Sequence, residues 1–174
     1  YSDVFERLAQ SSWVKKDNHY ELDVRGRSTA ERVSLATKLL TSGVTQCLVG
    51  TRHLLGEGWD CPAVNCVIDI TGISASVTVN QIRGRGLRRN PDDPTKITSL
   101  WDVISLAPGV SNGDRMLNQL RKRHQHTFGI DTKGRIRSGL DRIDPILSRP
   151  FYKIIQDVDA LQARMKTRAE NLWD

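Results

Sequence analysis

Two apolar runs, residues 45–50 and 64–70, have strand length and are separated by a glycine-bearing stretch over 50–62. Short apolar runs bounded by glycine and proline read as buried strands. The second is followed by a helical pattern over 77–88, for which Ser74 or Ser76 is a candidate cap, and then by a third apolar run over 96–104. Strand, helix and strand in alternation predict βαβ units around a mostly parallel sheet. Asn90-Pro91-Asp92-Asp93-Pro94 ends the helical pattern, because proline removes a backbone donor and restricts the residue before it.

Upstream, Val4, Phe5, Leu8 and Trp13 fall at helical spacing, and residues 19–24 alternate as a short strand. Ser28-Thr29-Ala30-Glu31 is a capping-box signature that opens a helix through Leu40, closed by Gly43. Beyond Pro108 the character changes. Met116, Leu117 and Leu120 lie on a helix rich in arginine, and residues 127–150 read as loop. Phe151, Ile154, Ile155, Val158, Leu161 and Met165 mark one amphipathic C-terminal helix.

Composition narrows the function classes. Apolar residues make up 38% of the 174, and no run approaches the ~20 consecutive apolar residues that cross a membrane. Tyr1 is not an initiator, so the chain reads as a piece of something longer. Cys47, Cys61 and Cys66 form no Cys-x-x-Cys pair, and Cys47 and Cys66 fall in the apolar runs. That fits buried, reduced thiols in a cytoplasmic or nucleoid-associated protein, with no metal site. The net charge of +6 is unevenly spread. Residues 1–80 carry 8 Lys and Arg against 9 Asp and Glu, 81–149 carry 14 against 7, and 150–174 carry 4 of each. Clustered cations of this kind suit nucleic-acid phosphates; Arg121, Lys122 and Arg123 are the densest group, with Arg135 and Arg137 beyond, and the same groups are equally suited to holding a neighbouring domain.

The chemistry concentrates in two segments. Residues 81–88 read Gln-Ile-Arg-Gly-Arg-Gly-Leu-Arg, with Arg85 and Arg88 three apart and so on one face if helical. Planar guanidinium groups grip phosphate oxygens bidentately and can stabilise phosphoryl transfer. Residues 50–62 read Gly-Thr-Arg-His-Leu-Leu-Gly-Glu-Gly-Trp-Asp-Cys-Pro. Gly56 and Gly58 permit a tight path, Thr51 and Arg52 suit a strand phosphate, and Asp60 can accept from a ribose hydroxyl or orient an arginine.

In that order, these segments resemble motifs V and VI of superfamily-two helicases, in the excision-repair and restriction-translocase branch. The likeness covers residues 20–104. It implies a RecA-like three-layer α/β/α fold with a mostly parallel sheet, residues 1–107 forming the second RecA-like lobe. Residues 108–174 would be a basic, mainly helical extension. It implies that Arg88 is an arginine finger, that Arg85 is its partner at the γ-phosphate, and that Gln81 positions nucleotide or water. Gly58 and Asp60 would couple the nucleotide to nucleic acid, and Thr51 and Arg52 would touch the strand, with DNA favoured over RNA. ATP is the implied substrate, and Mg²⁺ would be held by the first RecA-like lobe of the same polypeptide.

Several features depart from the family. Leu87 stands where many relatives have glycine. The chain contains no Gly-x-x-x-x-Gly-Lys-Ser/Thr loop, no Asp-Glu pair for magnesium, and no recognisable motif IV strand. These residues alone are therefore expected to hydrolyse no ATP. The alternative is a non-catalytic basic α/β module that binds nucleic acid or a partner protein.

Overall fold

In a computed structural model of the chain, residues 13–22, 25–55, 58–131 and 133–171 are described. The helix expected over 3–13 lies outside them apart from Trp13, which begins a strand. The chain divides into two compact units, residues 1–64 and 65–174.

The first unit holds an antiparallel hairpin of β1 (Trp13–Lys15) and β2 (Tyr20–Leu22), closed by Lys16 N–H donating to His19 O at 2.9 Å. Helix α1 (Thr29–Thr41) starts as its sequence dictates. Ser28 Oγ accepts from Glu31 N–H, and Glu31 Oε2 accepts from Ser28 N–H at 2.7 Å, which satisfies two otherwise orphaned donors. Past the Ser42 cap, Gly43 takes φ +73°, a left-handed turn that glycine makes without strain. Residues 45–50 do not form the expected strand. They join no ladder among the described residues, and Val49 is 86% exposed. An apolar, β-branched run becomes a strand only where a neighbour takes its backbone donors and acceptors. The short helix α2 (Arg52–Leu55) follows.

In the second unit, β3 (Cys66–Asp69) and β4 (Ser99–Asp102) pair in parallel, with Cys66 opposite Ser99 and Asp69 opposite Asp102. Helix α3 (Ser76–Gly86) connects them and packs on both. Its N-cap is Ala75 with no side-chain cap bond, so the serine cap expected there does not form. Gly86 lets the helix approach the strands closely, since a Cβ there would meet Thr98 Cγ2 at 2.8 Å and Val67 Cγ2 at 2.9 Å. The sheet's outer residues stay uncovered: Ile68 is 62%, Ile70 69% and Trp101 37% exposed.

Helix α4 (Arg115–His124) leads into an antiparallel hairpin of β5 (Phe128–Ile130) and β6 (Ile136–Ser138), then two 3-10 turns, Gly139–Arg142 and Pro145–Ser148. The loop expected over 127–150 is thus largely regular. Asp131 makes the hairpin possible by accepting from the backbone N–H of Lys133 at 2.9 Å and of Arg135 at 3.0 Å. The single amphipathic helix expected at the C-terminus is two, α5 (Phe151–Gln156) and α6 (Val158–Glu170), which break at Asp157 where φ and ψ are −111° and 15°.

The described residues therefore form a mixed α/β structure whose sheets are each two-stranded, with β3–β4 the parallel pair. The larger, mostly parallel sheet in three layers is not assembled among them, because residues 45–50 pair with nothing. The principal apolar core draws on α4, the two 3-10 turns, α5 and α6, through Leu117, Leu120, Leu140, Ile146, Leu147, Ile154 and Leu161. Leu117 and Ile154 are fully buried. Replacing Leu117→Ala should cost about 2–5 kcal/mol, from lost transfer energy plus a cavity. A urea titration giving less than 1 kcal/mol (on the order of a surface change) would show that this cluster is not the core.

Candidate functional site

The residues singled out above fall on both units. Thr51, Arg52, Gly58 and Asp60 lie in the first, and Gln81, Arg85, Arg88, Arg121, Lys122 and Arg123 in the second.

In the first unit, Thr51 O accepts from Leu54 N–H at 3.0 Å and Leu55 N–H at 3.1 Å, which starts α2, and the side chains of Thr51 and Arg52 face solvent. Gly56 lies outside the described residues. Gly58 adopts φ +76°, where a side chain would be strained. Asp60 is exposed between two anchored neighbours. Trp59 Nε1–H donates to Thr37 Oγ1 at 2.8 Å, and the buried Cys61 Sγ lies 3.5 Å from Thr41 Oγ1. These two contacts with α1 were not anticipated. Among the cysteines, Cys61 is buried while Cys47 and Cys66 are exposed, the reverse of the expectation for the last two.

In the second unit, Gln81 and Arg85 lie on α3, but the helix ends at Gly86 and Arg88 follows the Leu87 cap. The shared helical face expected for Arg85 and Arg88 therefore does not form. The reason is capture of the last carbonyls. Lys96 Nζ donates to Gly86 O at 2.9 Å and to Arg88 O at 2.5 Å, and Thr98 Oγ1 donates to Gly86 O at 2.8 Å. Arg88 thus sits at the amino-terminal approach to β4, at the other end of that strand from Asp102. Gln81 is exposed, and Arg85 and Arg88 are half-buried. Gly84 has open space around it.

The basic cluster on α4 splits three ways. Lys122 is exposed. Arg121 reaches back to the turn at Leu147, donating to its carbonyl from Nε at 3.2 Å and Nη2 at 3.1 Å, and also to Arg149 O. Arg123 is turned inward with a side chain 3% exposed, so the nucleic-acid contact expected of it gives way to internal pairing. Its Nη1 donates to Asp69 Oδ2 at 3.1 Å and to Asp102 Oδ1, Nε to Ile73 O at 2.8 Å, and Nη2 to Thr71 O at 2.7 Å. Arg135 and Arg137 are likewise held by Asp131.

Arg123 belongs to a cluster that sequence reasoning missed. His124, 2% exposed, places Nε2 at 2.9 Å from Asp102 Oδ2, and Arg142 Nη2 lies 3.0 Å from Nδ1. Arginine only donates, so Nδ1 must accept and Nε2 carries the proton given to Asp102. Arg83 Nη2 donates to the same Oδ2 at 2.9 Å. It also lies 2.9 Å from His124 Nε2, which we read as two donors crowding one acceptor. Burial alone would raise the Asp102 pKa, but the His124 hydrogen bond and the charges of Arg83 and Arg123 outweigh it and hold the carboxyl well below its usual range. Burial and the charge of Arg83 lower the pKa of Arg142. The sequence signal for this cluster was two aspartates set inside the apolar runs 64–70 and 96–104.

Compared with known protein families, curated proteins and solved structures, the chain matches none of them. Among the described residues no group of three or more His, Cys, Asp or Glu is arranged to hold a metal ion. Asp69 and Asp102 are both committed to guanidinium groups and do not fit a divalent cation.

A carboxyl held below its ordinary value protonates later in the fold than in the unfolded chain. The stability it contributes is therefore present above about pH 4 and is lost as pH falls through the folded value. Urea midpoints should drop as pH is lowered from about 5 to 3, and Asp102→Asn should flatten that drop. Asp131, lowered chiefly by the backbone N–H of Arg135, and Asp144, lowered by its Arg164 bond against the opposing effect of burial, leave a residual slope of the same sign. An identical pH slope in Asp102→Asn would show that the cluster carries no such linkage.

Proposed function

We propose that the chain is the second motor lobe of an ATP-dependent nucleic-acid helicase or translocase. The observation that carries this reading is the segment Gln81-Ile82-Arg83-Gly84-Arg85-Gly86-Leu87-Arg88 on and just beyond the helix that joins two parallel strands. The glycine loop at 58–60 precedes it in the chain. In this reading residues 1–107 belong to a RecA-like lobe and residues 108–174 extend it. Exposed Ile68, Ile70 and Trp101 are then residues of a larger parallel sheet, since parallel strands are ordinarily covered on both faces.

The chemistry follows from what guanidinium groups do. ATP and Mg²⁺ are held by a first lobe carrying the phosphate loop. Arg85 and Arg88 approach the γ-phosphate as the lobes close, and the planar donors offset charge on the equatorial oxygens as the phosphoryl group transfers. Gln81 orients nucleotide or attacking water. Thr51, Arg52, Gly58 and Asp60 link the nucleotide state to a nucleic-acid strand, DNA rather than RNA, and closure and opening step the protein along it. Of the basic cluster on α4, Lys122 remains the residue open to a phosphate.

Two measurements test this. In the protein that joins this chain to a phosphate-loop lobe, Arg85→Ala or Arg88→Ala should lower kcat for ATP by about 10³-fold. KM should stay within a few-fold, the signature of an interaction made in the transition state. Unchanged kcat in both variants would overturn the motor reading. Separately, Lys122→Glu should reduce the slope of log Kd for single-stranded DNA against log salt by roughly one phosphate contact. An unaltered slope would remove Lys122 from the track.

A further inference from the structure

Helix α3 presents its residues to two sides. Gln81 and Arg85 are four apart and share a face. Arg83 lies between them, about 200° around the axis from each. Its face is the inner one, with Val79 at 1% exposure and the buried Gly86. Val79 is the one fully buried side chain among those described on α3, so apolar packing alone leaves the helix weakly constrained against rolling on two short strands. A directional bond removes that freedom, and Arg83 makes one to Asp102 at 2.9 Å.

Asp102 is itself held from behind. Arg123 grips its other oxygen while fixed to Asp69 and the carbonyls of Thr71 and Ile73. His124 donates to the oxygen that Arg83 uses, and Arg142 from the following 3-10 turn orients the imidazole. We propose that Arg123 and His124 are positioning residues for the arginine-bearing helix: acting through Asp102 and Arg83, they set the rotation at which α3 presents Gln81 and Arg85. Both come from residues 115–124, outside the stretch that resembles the helicase family. The segment beyond Pro108 is then part of the frame of the site and not an appended tail. The consequence for turnover rests on the motor reading, whereas the mechanical coupling does not.

Amide hydrogen exchange on the 174-residue chain tests the coupling. In Asp102→Asn and in Arg83→Gln, amides of residues 79–86 should exchange about tenfold faster or more, while those of the β5–β6 hairpin and α6 are unchanged. Arg83→Lys, which keeps the charge, should recover part of the protection. No change over 79–86 in Arg83→Gln, or an equal acceleration throughout residues 65–171, would overturn the proposal, the latter by reducing the cluster to general folding support. The second arm uses the protein that carries the phosphate-loop lobe. There Arg83→Gln should lower kcat about tenfold with KM for ATP within about twofold. If Arg85→Ala slows turnover but Arg83→Gln does not, the positioning role is overturned. If Arg85→Ala is without effect while exchange over 79–86 still rises, the motor reading falls and the coupling stands.

Discussion

A guanidinium taken out of water is costly unless its donors meet acceptors, and Arg123 directs four of its five N–H donors to two carboxylates and two backbone carbonyls. Much of the second unit depends on this side chain. Its two carboxylates end β3 and β4 and face each other in register, so they would repel without a cation between them. The carbonyls of Thr71 and Ile73 belong to the connection from β3 into α3, and Arg123 itself is on α4. One planar group therefore ties a strand pair, the start of a crossover and a later helix to a single point. An apolar residue in that position would pack but would not specify direction, which is the role best attested for buried polar groups.

The β3–α3–β4 unit is in this way held at both ends by different chemistry. At the carboxyl ends of the strands, where open α/β sheets commonly receive ligands, the space is filled by Arg123 and His124. At the other end, Lys96 and Thr98 take the carbonyls of Gly86 and Arg88, and Gly86 allows the close approach. The first unit follows the same logic around Asp60. Trp59 and Cys61 are anchored on α1 while the residue between them faces solvent. In both places an exposed or half-buried polar side chain stands beside residues that are fixed by hydrogen bonds.

The same principle accounts for much of the positive charge. Arg121, Arg123, Arg135 and Arg137 looked like one basic track in the primary structure, yet each reaches protein acceptors: the Leu147 carbonyl, Asp69 and Asp102, or Asp131. Asp131 is held below the ordinary carboxyl range, chiefly by the backbone N–H of Arg135 and against the opposing effect of burial. An excess of arginine over a stretch of chain is thus compatible with few arginines being left for a phosphate.

Local chemistry was legible without coordinates wherever partners are close in the chain. The capping box at Ser28 and Glu31, the left-handed stop at Gly43, the strands around Val67 and Leu100 and the helix between them all rest on contacts within a few residues or on periodicity. The ordered Gln81-to-Arg88 segment was likewise visible as text. What the chain alone did not disclose depends on partners far apart: that residues 45–50 find no ladder, that α3 stops before Arg88, and that Asp131 folds a hairpin out of an apparent loop. Above all, it did not disclose that Arg123 and His124 turn inward, more than fifty residues from Asp69 and more than twenty from Asp102. Side-chain type and spacing determine what a residue can bond. Only the tertiary arrangement decides which acceptor lies within 3 Å, because a buried charge goes to whichever distant group compensates the water it has lost.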